Sequence, residues 1–292
     1  MNKTGAFDCH CHTWNSPDSK STPEQVCEAA IEKGLGGIAF TDHCNVNYWP
    51  EQDVLSIVSN SVCDAQRMQE LYGDRLTVLR GVELGNHIYN PDIVKRVLEM
   101  QDLDIVVGSV HAIKYDGWDG NIAKMDFKQF PQEWIHSYLE SYFQETLRMA
   151  AEDDIDAVAH FSFGVRYIAC HEGGIVDISP HWNTIEQTLQ QMLKRSVALE
   201  MNSNNIVPRK EILGKLRLAN GKENCICDVA KLDLEIAKRY YELGGRLITL
   251  GSDSHVPDRV GRAFEQVIEK LKSIGFEKAY YFQNRKPISY EI

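Results

Sequence analysis

The sequence predicts an α/β fold in which seven parallel strands alternate with helices and close into a TIM-like (β/α)7 barrel. Short apolar runs of strand length alternate with amphipathic helical patterns along the whole chain. Such units, joined by right-handed crossovers, form either an open doubly wound sheet or a closed barrel. An open sheet concentrates its site at one switch point, whereas every barrel strand delivers its C-terminal end to one mouth. Here a His, Asp or Glu follows nearly every predicted strand, which favours the barrel.

Composition narrows the class of protein. The chain is long enough for one barrel-sized domain, and we expect a single domain over residues 1–292. A net charge of −11 without basic runs argues against nucleic acid, so the expected partner is a small molecule. No apolar stretch reaches the length of about 18 residues that a membrane helix needs, and residues 1–5 lead straight into a strand. We therefore expect a cytoplasmic protein without membrane contact.

The first predicted unit shows how its elements are recognised. Residues 6–12 are predicted as a strand, and a polar loop with Asp18 follows. Thr22 is a good N-cap, Pro23 takes the first helical position and Gln25 completes a capping box. A helix is therefore expected to begin here.

The later units repeat this order. The run at residues 105–110 is apolar almost throughout, as expected of a parallel strand covered on both faces. Further strands are predicted at residues 37–41, 76–82, 157–159, 196–201 and 246–250. Helices are predicted at residues 53–72, 92–101, 132–152, 183–194, 229–243 and 263–273. Loops are predicted at residues 162–180 and 203–228, and a terminal extended segment at residues 278–289.

Residues of metal-binding type mark the strand ends. Alternate side chains of a strand share a face, so His10 and His12 should project together while Cys9 and Cys11 point the other way. The later strands end in Asp42, His43, Glu83, His111, His160, Asp253 and His255. Imidazoles and carboxylates buried at one mouth are costly unless they are paired or bind metal. This set exceeds the ligands that one divalent ion takes, so we expect two or three ions.

Two alternatives use cysteine as the ligand. Thiolates of Cys9 and Cys11 could hold zinc, but strand alternation directs them away from the histidines. Cys225 and Cys227 lie in a loop without a second pair nearby. The cysteines are expected to be reduced, since a chain of this length needs no disulfides. We do not expect metal binding by the remaining histidines, His87, His136, His171 and His181, of which the last two lie on a loop near the mouth.

Six motifs together resemble the polymerase and histidinol phosphatase (PHP) superfamily over the whole chain. They are His10-x-His12, Thr41-Asp42-His43, Gly81-Val82-Glu83, Gly108-Ser109-Val110-His111, Ala159-His160 and Gly251-Ser252-Asp253-Ser254-His255. Leu199-Glu200-Met201-Asn202 and the tail from residue 248 through Arg285-Lys286-Pro287 resemble the histidinol-phosphatase branch. The resemblance implies a distorted seven-stranded barrel of PHP type with a trinuclear metal centre.

The resemblance also implies ligands and a reaction. One ion would be held by His10, His12, Glu83 and Asp253, a second by the bridging Glu83 with His111 and His160, and a third by Asp18, His43 and His255. Zinc, manganese and iron are the candidate metals. The implied activity is hydrolysis of L-histidinol phosphate to L-histidinol and phosphate, in histidine biosynthesis, by a hydroxide that bridges the ions. The alternatives are a PHP phosphoesterase of other specificity, for small phosphomonoesters or for nucleotide and oligonucleotide diesters, and a barrel without catalysis.

A phosphate monoester also needs a cationic partner. Arg166 is the first candidate for this contact and for catalysis, because it follows the ligand His160 on the same loop. Arg209 is the second candidate. Protonation of the leaving group could fall to Asp253, His255 or a water on a metal ion.

The loop at residues 115–119 is the candidate for substrate selectivity. It follows the ligand His111 and contains both aromatic and carboxylate groups. Such groups bind cations, and histidinol phosphate carries an amine and an imidazole opposite its phosphate. We therefore expect Trp118 and Asp119 to bind the cationic end of the substrate.

Overall fold

The structure is a computed structural model that describes residues 5–100, 102–172, 176–207 and 225–292. Its strands are β1 (Phe7–Cys11), β2 (Gly37–Phe40), β3 (His43–Asn45), β4 (Thr77–Gly85), β5 (Ile105–Ser109), β6 (Ala157–Val158), β7 (Ala198–Asn202), β8 (Ile248–Gly251), β9 (Lys278–Gln283) and β10 (Lys286–Glu291). Its α-helices are α1 (Pro23–Glu32), α2 (Val54–Tyr72), α3 (Pro91–Met100), α4 (Gln132–Glu152), α5 (Phe163–Glu172), α6 (Trp182–Arg195), α7 (Ser203–Ile206), α8 (Cys225–Glu242) and α9 (Phe264–Ile274). Within these ranges, no helix has the combination of length and apolar composition that a bilayer crossing requires.

Seven parallel strands form a nearly closed barrel in the order β1, β2, β4, β5, β6, β7 and β8. Between the two ends of this order, the Asp253 amide donates to His10 O at 2.8 Å, and the His12 amide donates to Ser254 O at 2.9 Å. The short strand β3 continues beyond β2 and pairs with β4. The predicted α/β fold, a distorted seven-stranded barrel, is confirmed.

Helix α1 begins as its sequence predicts. The Thr22 amide donates to Gln25 Oε1 at 3.0 Å, and the Gln25 amide donates to Thr22 Oγ1 at 3.2 Å, so both halves of the capping box form. The loop before this helix closes on itself, because the Trp14 amide donates to Ser21 O at 2.8 Å. The cap and this closure hold both ends of the loop that carries Asp18.

Apolar side chains fill the barrel interior, and a C-terminal hairpin closes one end of it. The inner cluster consists of Phe7, Cys9, Ala39, Leu79, Ile105, Val107, Ala157, Ala159, Ala198 and Phe282. Phe282 comes from the antiparallel hairpin of β9 and β10, which the sequence predicted only as extended chain. In the turn of this hairpin, the Asn284 amide donates to Asp104 Oδ1 at 3.0 Å, just before β5. The hairpin thus covers the N-terminal ends of the strands, on the side away from the mouth.

Strand β1 does not alternate regularly, and the expectation for its cysteines is wrong. Its register against β2 shifts between Asp8 and Cys11. Cys9 lies in the inner cluster, whereas Cys11 packs in the outer core between barrel and helices. The two thiols do not share a face, because an irregularity in a strand changes its side-chain alternation. Burial raises the pKa of both thiols well above the usual value, so they stay protonated.

Helix α5 occupies a stretch that the sequence predicted as a loop. Val165, Ile168 and Ala169 are buried in it at helical spacing, so the sequence does contain a helical pattern here. A helix of 10 residues followed by glycines offers too few turns for this spacing to stand out. The predicted loop at residues 203–228 contains α7 and the first residues of α8, and its remaining part lies outside the described residues.

Candidate metal centre

The C-terminal ends of the barrel strands bring the predicted metal ligands to one mouth. A cavity of about 360 Å³ at this mouth is lined by Asp18, His43, His111, Asp253 and His255. The other predicted ligands, His10, His12, Glu83 and His160, are buried against them. These nine side chains are called the mouth cluster below.

Glu83, near the end of β4, is the centre of the mouth cluster. Its Oε1 lies 3.0 Å from His160 Nε2 and 3.2 Å from His111 Nε2. Its Oε2 lies 3.6 Å from His10 Nε2 and 3.8 Å from His12 Nε2. The same oxygen lies 2.5 Å from His43 Nδ1. Each oxygen therefore faces a different group of imidazoles, as a carboxylate between two ions would.

Two further carboxylates complete the mouth cluster. Asp253 Oδ1 lies 3.3 Å from His12 Nε2. Asp18 Oδ2, on the loop after β1, lies 3.3 Å from His255 Nε2 and 3.6 Å from His43 Nε2. The structure thus brings together side chains that are as far apart in the sequence as β1 and the loop after β8.

The donor atoms of the mouth cluster fit divalent metal ions. In the described part of the chain, four sets of three donor atoms lie within 4.8 Å of one another: His12, His43 and His255; His10, Glu83 and His160; His10, His12 and Asp253; and His43, Glu83 and His111. His10 Nε2, His12 Nε2 and Glu83 Oε2 are buried without a hydrogen-bond partner. Buried polar atoms of this kind are costly unless a ligand satisfies them. A cation at this point would remove the cost.

Hydrogen bonds on the far side of two imidazoles select the tautomer that metal binding needs. His111 Nδ1 lies 2.9 Å from the side-chain oxygen of Asn45, which can only accept, so Nδ1 carries the proton. Ser16 Oγ donates to Asp42 Oδ1 at 2.6 Å and therefore accepts from His12 Nδ1 at 3.1 Å. Both rings consequently keep a lone pair on Nε2, the atom that faces the centre of the cluster.

The charges of the mouth cluster favour a cation. Burial by itself would raise the pKa of Glu83, but the neighbouring imidazoles hold it well below its usual value. Burial would likewise raise the pKa of Asp253, but its contact with His12 and the charges of the neighbouring imidazoles lower it. Burial would lower the pKa of His43, yet Glu83 and Asp18 raise it to about 10. The carboxylates thus stay ionised and attract protons onto an imidazole, and a bound divalent ion would displace those protons.

Asp42 follows β2, but its carboxylate turns to the loop after β1 rather than to the mouth cluster. It accepts hydrogen bonds from Thr13 Oγ1 at 2.7 Å, from Ser16 Oγ at 2.6 Å and from Ser61 Oγ at 2.6 Å. It belongs to none of the four donor sets found among the described residues. Its role is to anchor this loop and, through Ser16, to orient His12.

The histidines that were not expected to bind metal have other surroundings. His87 Nε2 donates to the Leu84 carbonyl at 2.8 Å, and His181 Nδ1 lies 2.7 Å from a carboxylate oxygen of Glu140. His87, His136 and His181 are absent from the donor sets of the described residues. The side chain of His171 lies outside the description.

Arg166, on α5, lines the cavity beside the mouth cluster. Its Nη1 donates to Asn205 Oδ1 at 2.6 Å, and its guanidinium carbon lies 5.0 Å from the centre of the Tyr167 ring. These contacts hold a charged group with fixed geometry at the edge of the cavity. The other candidate arginine, Arg209, lies outside the described residues.

Trp118 and Asp119 lie next to the cavity at the mouth, which is called the main cavity, rather than in it. They line an adjoining space of about 430 Å³, called the side hollow, together with Tyr89. The side hollow and the main cavity share wall residues, Tyr48, Asn121 and Lys124. Lys124 was not predicted from the sequence, because a single loop lysine has no characteristic spacing.

Comparisons with known proteins identify the family. The PHP domain model matches residues 8–204. A probable histidinol-phosphatase of Clostridium acetobutylicum is 30% identical over 280 residues, covering 93% of this chain and 97% of that protein. The histidinol-phosphatase of Lactococcus lactis subsp. lactis is 26% identical over 289 residues, covering 96% of this chain and 95% of that protein.

The fold also matches a solved structure. It is a crystal structure of histidinol phosphate phosphatase from Lactococcus lactis subsp. lactis, complexed with Zn, L-histidinol and phosphate. The match has a TM-score of 0.73 at 20% identity and covers 97% of this chain and 98% of that chain. The chain belongs to the PHP domain family, in its histidinol-phosphatase branch.

Proposed function

We propose that this protein is a metal-dependent phosphatase that hydrolyses L-histidinol phosphate to L-histidinol and phosphate. The observation that carries the proposal is the convergence of buried donor atoms without hydrogen bonds, from His10, His12 and Glu83, at one mouth. Relatives that match nearly the whole chain are named histidinol-phosphatases, and a structural relative binds Zn, L-histidinol and phosphate. The chemistry of the site and the names of the relatives support the same reaction.

The proposed metal ligands form three sets. One set is His10, His12, Glu83 and Asp253; the second is Glu83, His111 and His160; the third is Asp18, His43 and His255. Contacts of 2.5 to 3.8 Å between Glu83 and five imidazoles support its bridging role. Nitrogen and carboxylate donors suit zinc, manganese and iron alike, and the Zn of the Lactococcus protein makes zinc the first metal to test.

The residues around the proposed ions have distinct tasks. Ions bound there would lower the pKa of a water toward neutrality and offset negative charge on the phosphoryl oxygens. Arg166 supplies a planar fork that binds a phosphate through two parallel hydrogen bonds. Lys124, in the wall between the two spaces, adds a second positive charge for the phosphate. His255 lines the same cavity and is the side chain that we assign to proton delivery to the leaving oxygen, because the Asp253 carboxylate stays ionised.

The side hollow would accept the cationic end of the substrate. Trp118 is 39% exposed there and offers an aromatic face to a positively charged group. The Asp119 carboxylate supplies the opposite charge. Phosphate and amine would then occupy neighbouring spaces that meet at Tyr48 and Asn121.

A substrate panel tests the proposal. The protein, freed of metal and then loaded with zinc, manganese or iron, is assayed with histidinol phosphate, p-nitrophenyl phosphate and bis-p-nitrophenyl phosphate. We expect the highest kcat/KM for histidinol phosphate, slower hydrolysis of p-nitrophenyl phosphate and little hydrolysis of the diester. Preference for the diester would replace the proposal by a phosphodiesterase. Absence of hydrolysis with every metal would leave a barrel without catalysis.

A further inference from the structure

Glu200, on β7, touches the mouth cluster from behind. Its Oε1 lies 2.6 Å from His10 Nδ1. Its Oε2 accepts the backbone amide of His160 at 2.6 Å. The side chain is buried, and it does not line the main cavity, so it meets two proposed ligands without facing the substrate. One carboxylate thus joins the first strand of the barrel to the chain after β6.

The contact with His10 fixes the state of the imidazole. An ionised carboxylate can only accept, so His10 Nδ1 carries a proton and Nε2 is the nitrogen left to bind an ion. Nε2 is the atom of this ring that is buried without a hydrogen bond and lies 3.6 Å from Glu83 Oε2. The Glu200 bond therefore determines both the tautomer and the direction of the ring.

The contact with His160 holds an unusual backbone. His160 has φ of +23°, in the region that residues other than glycine rarely adopt. Its amide donates to Glu200, and its carbonyl accepts from the Phe163 amide at 2.8 Å. This turn directs the His160 ring inward, where Nε2 lies 3.0 Å from Glu83 Oε1.

The neighbouring strand leaves room for this carboxylate. A Cβ built on Gly251 of β8 would overlap Glu200 Oε1 and come within 2.8 Å of the His10 Cβ. Glycine is therefore required here by the close approach of the Glu200 side chain and not by a left-handed backbone. The sequence contains both halves of the arrangement, since Glu200 and Gly251 lie in the runs that resemble the PHP histidinol-phosphatases.

We propose that Glu200 is a positioning residue that sets the His10 ring and the His160 backbone, so that the two imidazoles present Nε2 to the two proposed ions that Glu83 bridges. The inference deepens the proposed metal-dependent function and rests on it. Glu200 orients the ligands from outside the metal site, in the way that a carboxylate behind a metal-bound imidazole does. Its loss should weaken metal binding first and turnover as a consequence.

The first test compares two buried carboxylates. Glu200→Gln keeps the shape of the side chain but leaves one oxygen to accept from two N–H donors, the His10 imidazole and the His160 amide. Asp104→Asn is the matched control, because Asp104 is equally buried and accepts the Arg80 amide at 2.9 Å at the opposite end of the barrel. Metal affinity is measured by competition with a chromophoric chelator, and the fold is monitored by circular dichroism. We expect Glu200→Gln to bind zinc about 10- to 100-fold more weakly and Asp104→Asn to keep the original affinity.

Excess metal separates positioning from a direct role. At saturating zinc, Glu200→Gln should regain most of its kcat with an unchanged KM for p-nitrophenyl phosphate. Gly251→Ala should show the same metal defect, because its methyl group displaces the Glu200 carboxylate. A folded Glu200→Gln protein that binds zinc as tightly as the original protein overturns the inference.

A measurement on the unaltered protein covers the case in which the variants do not fold. Long-range 1H–15N NMR of the zinc-loaded chain reports which nitrogen of each imidazole carries a proton. We expect a proton on His10 Nδ1 and zinc on Nε2, and zinc on Nδ1 would overturn the role of Glu200. Failure of the proposed function has a different signature, since the unaltered protein would then neither bind zinc nor hydrolyse any phosphomonoester.

Discussion

Oε1 of Glu83 lies 3.0 Å from Nε2 of His160, and neither side chain reaches solvent. Protein encloses this pair, so water could not take over the contact with His160 if the carboxylate were removed. Its other oxygen lies without a hydrogen bond among further imidazoles. Glu83 is thus the one member of the mouth cluster whose two oxygens face different groups of imidazoles.

Glu83→Gln should damage the protein more than His43→Ala. A bridging carboxylate carries charge for two proposed ions. His43 contacts Glu83 but is a proposed ligand of the third ion alone, beside the exposed Asp18. Removing one partner of a buried charged pair costs roughly 3–5 kcal/mol, so we expect kcat/KM to fall by more than about 100-fold for Glu83→Gln. Turnover and bound metal per chain are measured for both variants. Equal losses in the two would contradict the bridge.

Metal removal should abolish activity. The donor sets of the described residues overlap at His10, His12, His43 and Glu83, and this overlap fits several neighbouring ions better than one. We expect chelation to eliminate hydrolysis, and elemental analysis of the active protein to find more than one transition-metal ion per chain. Full activity with one equivalent of metal or less is incompatible with the three proposed sets.

Arg166→Ala should impair every phosphomonoester. The Arg166 guanidinium lines the cavity and is held by Asn205, so its loss removes a pre-positioned phosphate partner. A hydrogen bond to a charged group contributes about 1.5–3 kcal/mol, which is roughly 10- to 100-fold in kcat/KM. Histidinol phosphate and p-nitrophenyl phosphate should be affected alike. The matched control is Arg195→Ala, which removes an arginine whose partner is the Ala150 carbonyl at 3.0 Å. An Arg166 effect no larger than that of the control would exclude a phosphate contact.

The hairpin at the closed end should contribute to stability and not to specificity. Phe282 is 2% exposed and belongs to the inner cluster, so Phe282→Ala leaves a cavity inside the barrel. Such a truncation costs about 3–5 kcal/mol in the free energy of unfolding. Leu71, which is 56% exposed on α2, provides the control, and Leu71→Ala should change stability by less than about 0.5 kcal/mol. Urea unfolding measures both, and a Phe282→Ala protein as stable as the control would mean that the hairpin does not close the barrel.

The positions of the barrel strands could be predicted because they are short apolar runs, and nearly every one leads into a polar residue of metal-binding type. Glu83 and His111 are clear examples, since each directly follows a predicted strand. The placement of Cys9 and Cys11 could not be predicted, because the alternation argument assumes a regular strand and β1 has a register shift. Glu200 could not be assigned a contact either, since it lies 190 residues from His10 in the sequence. Pairings of this kind depend on which strands become neighbours across the barrel.

The side hollow should determine which phosphomonoester the protein prefers. Trp118 and Asp119 line this hollow, which shares the wall residues Tyr48, Asn121 and Lys124 with the cavity of the mouth cluster. A substrate with a cationic group opposite its phosphate can use the hollow, whereas p-nitrophenyl phosphate has no such group.

We therefore expect Trp118→Ala and Asp119→Ala to lower kcat/KM for histidinol phosphate by roughly 10- to 100-fold, the equivalent of one charge-assisted contact. Hydrolysis of p-nitrophenyl phosphate should stay nearly unchanged, because its phosphate still meets Arg166. Asp116→Ala is the matched control, since Asp116 is an exposed carboxylate of the same loop that bonds Trp134 Nε1 at 2.8 Å and does not line the hollow. If both substrates are affected alike, or if Asp116→Ala has the same effect, the hollow does not select the substrate. The cationic end must then bind within the main cavity, beside the acidic residues Asp18 and Asp253.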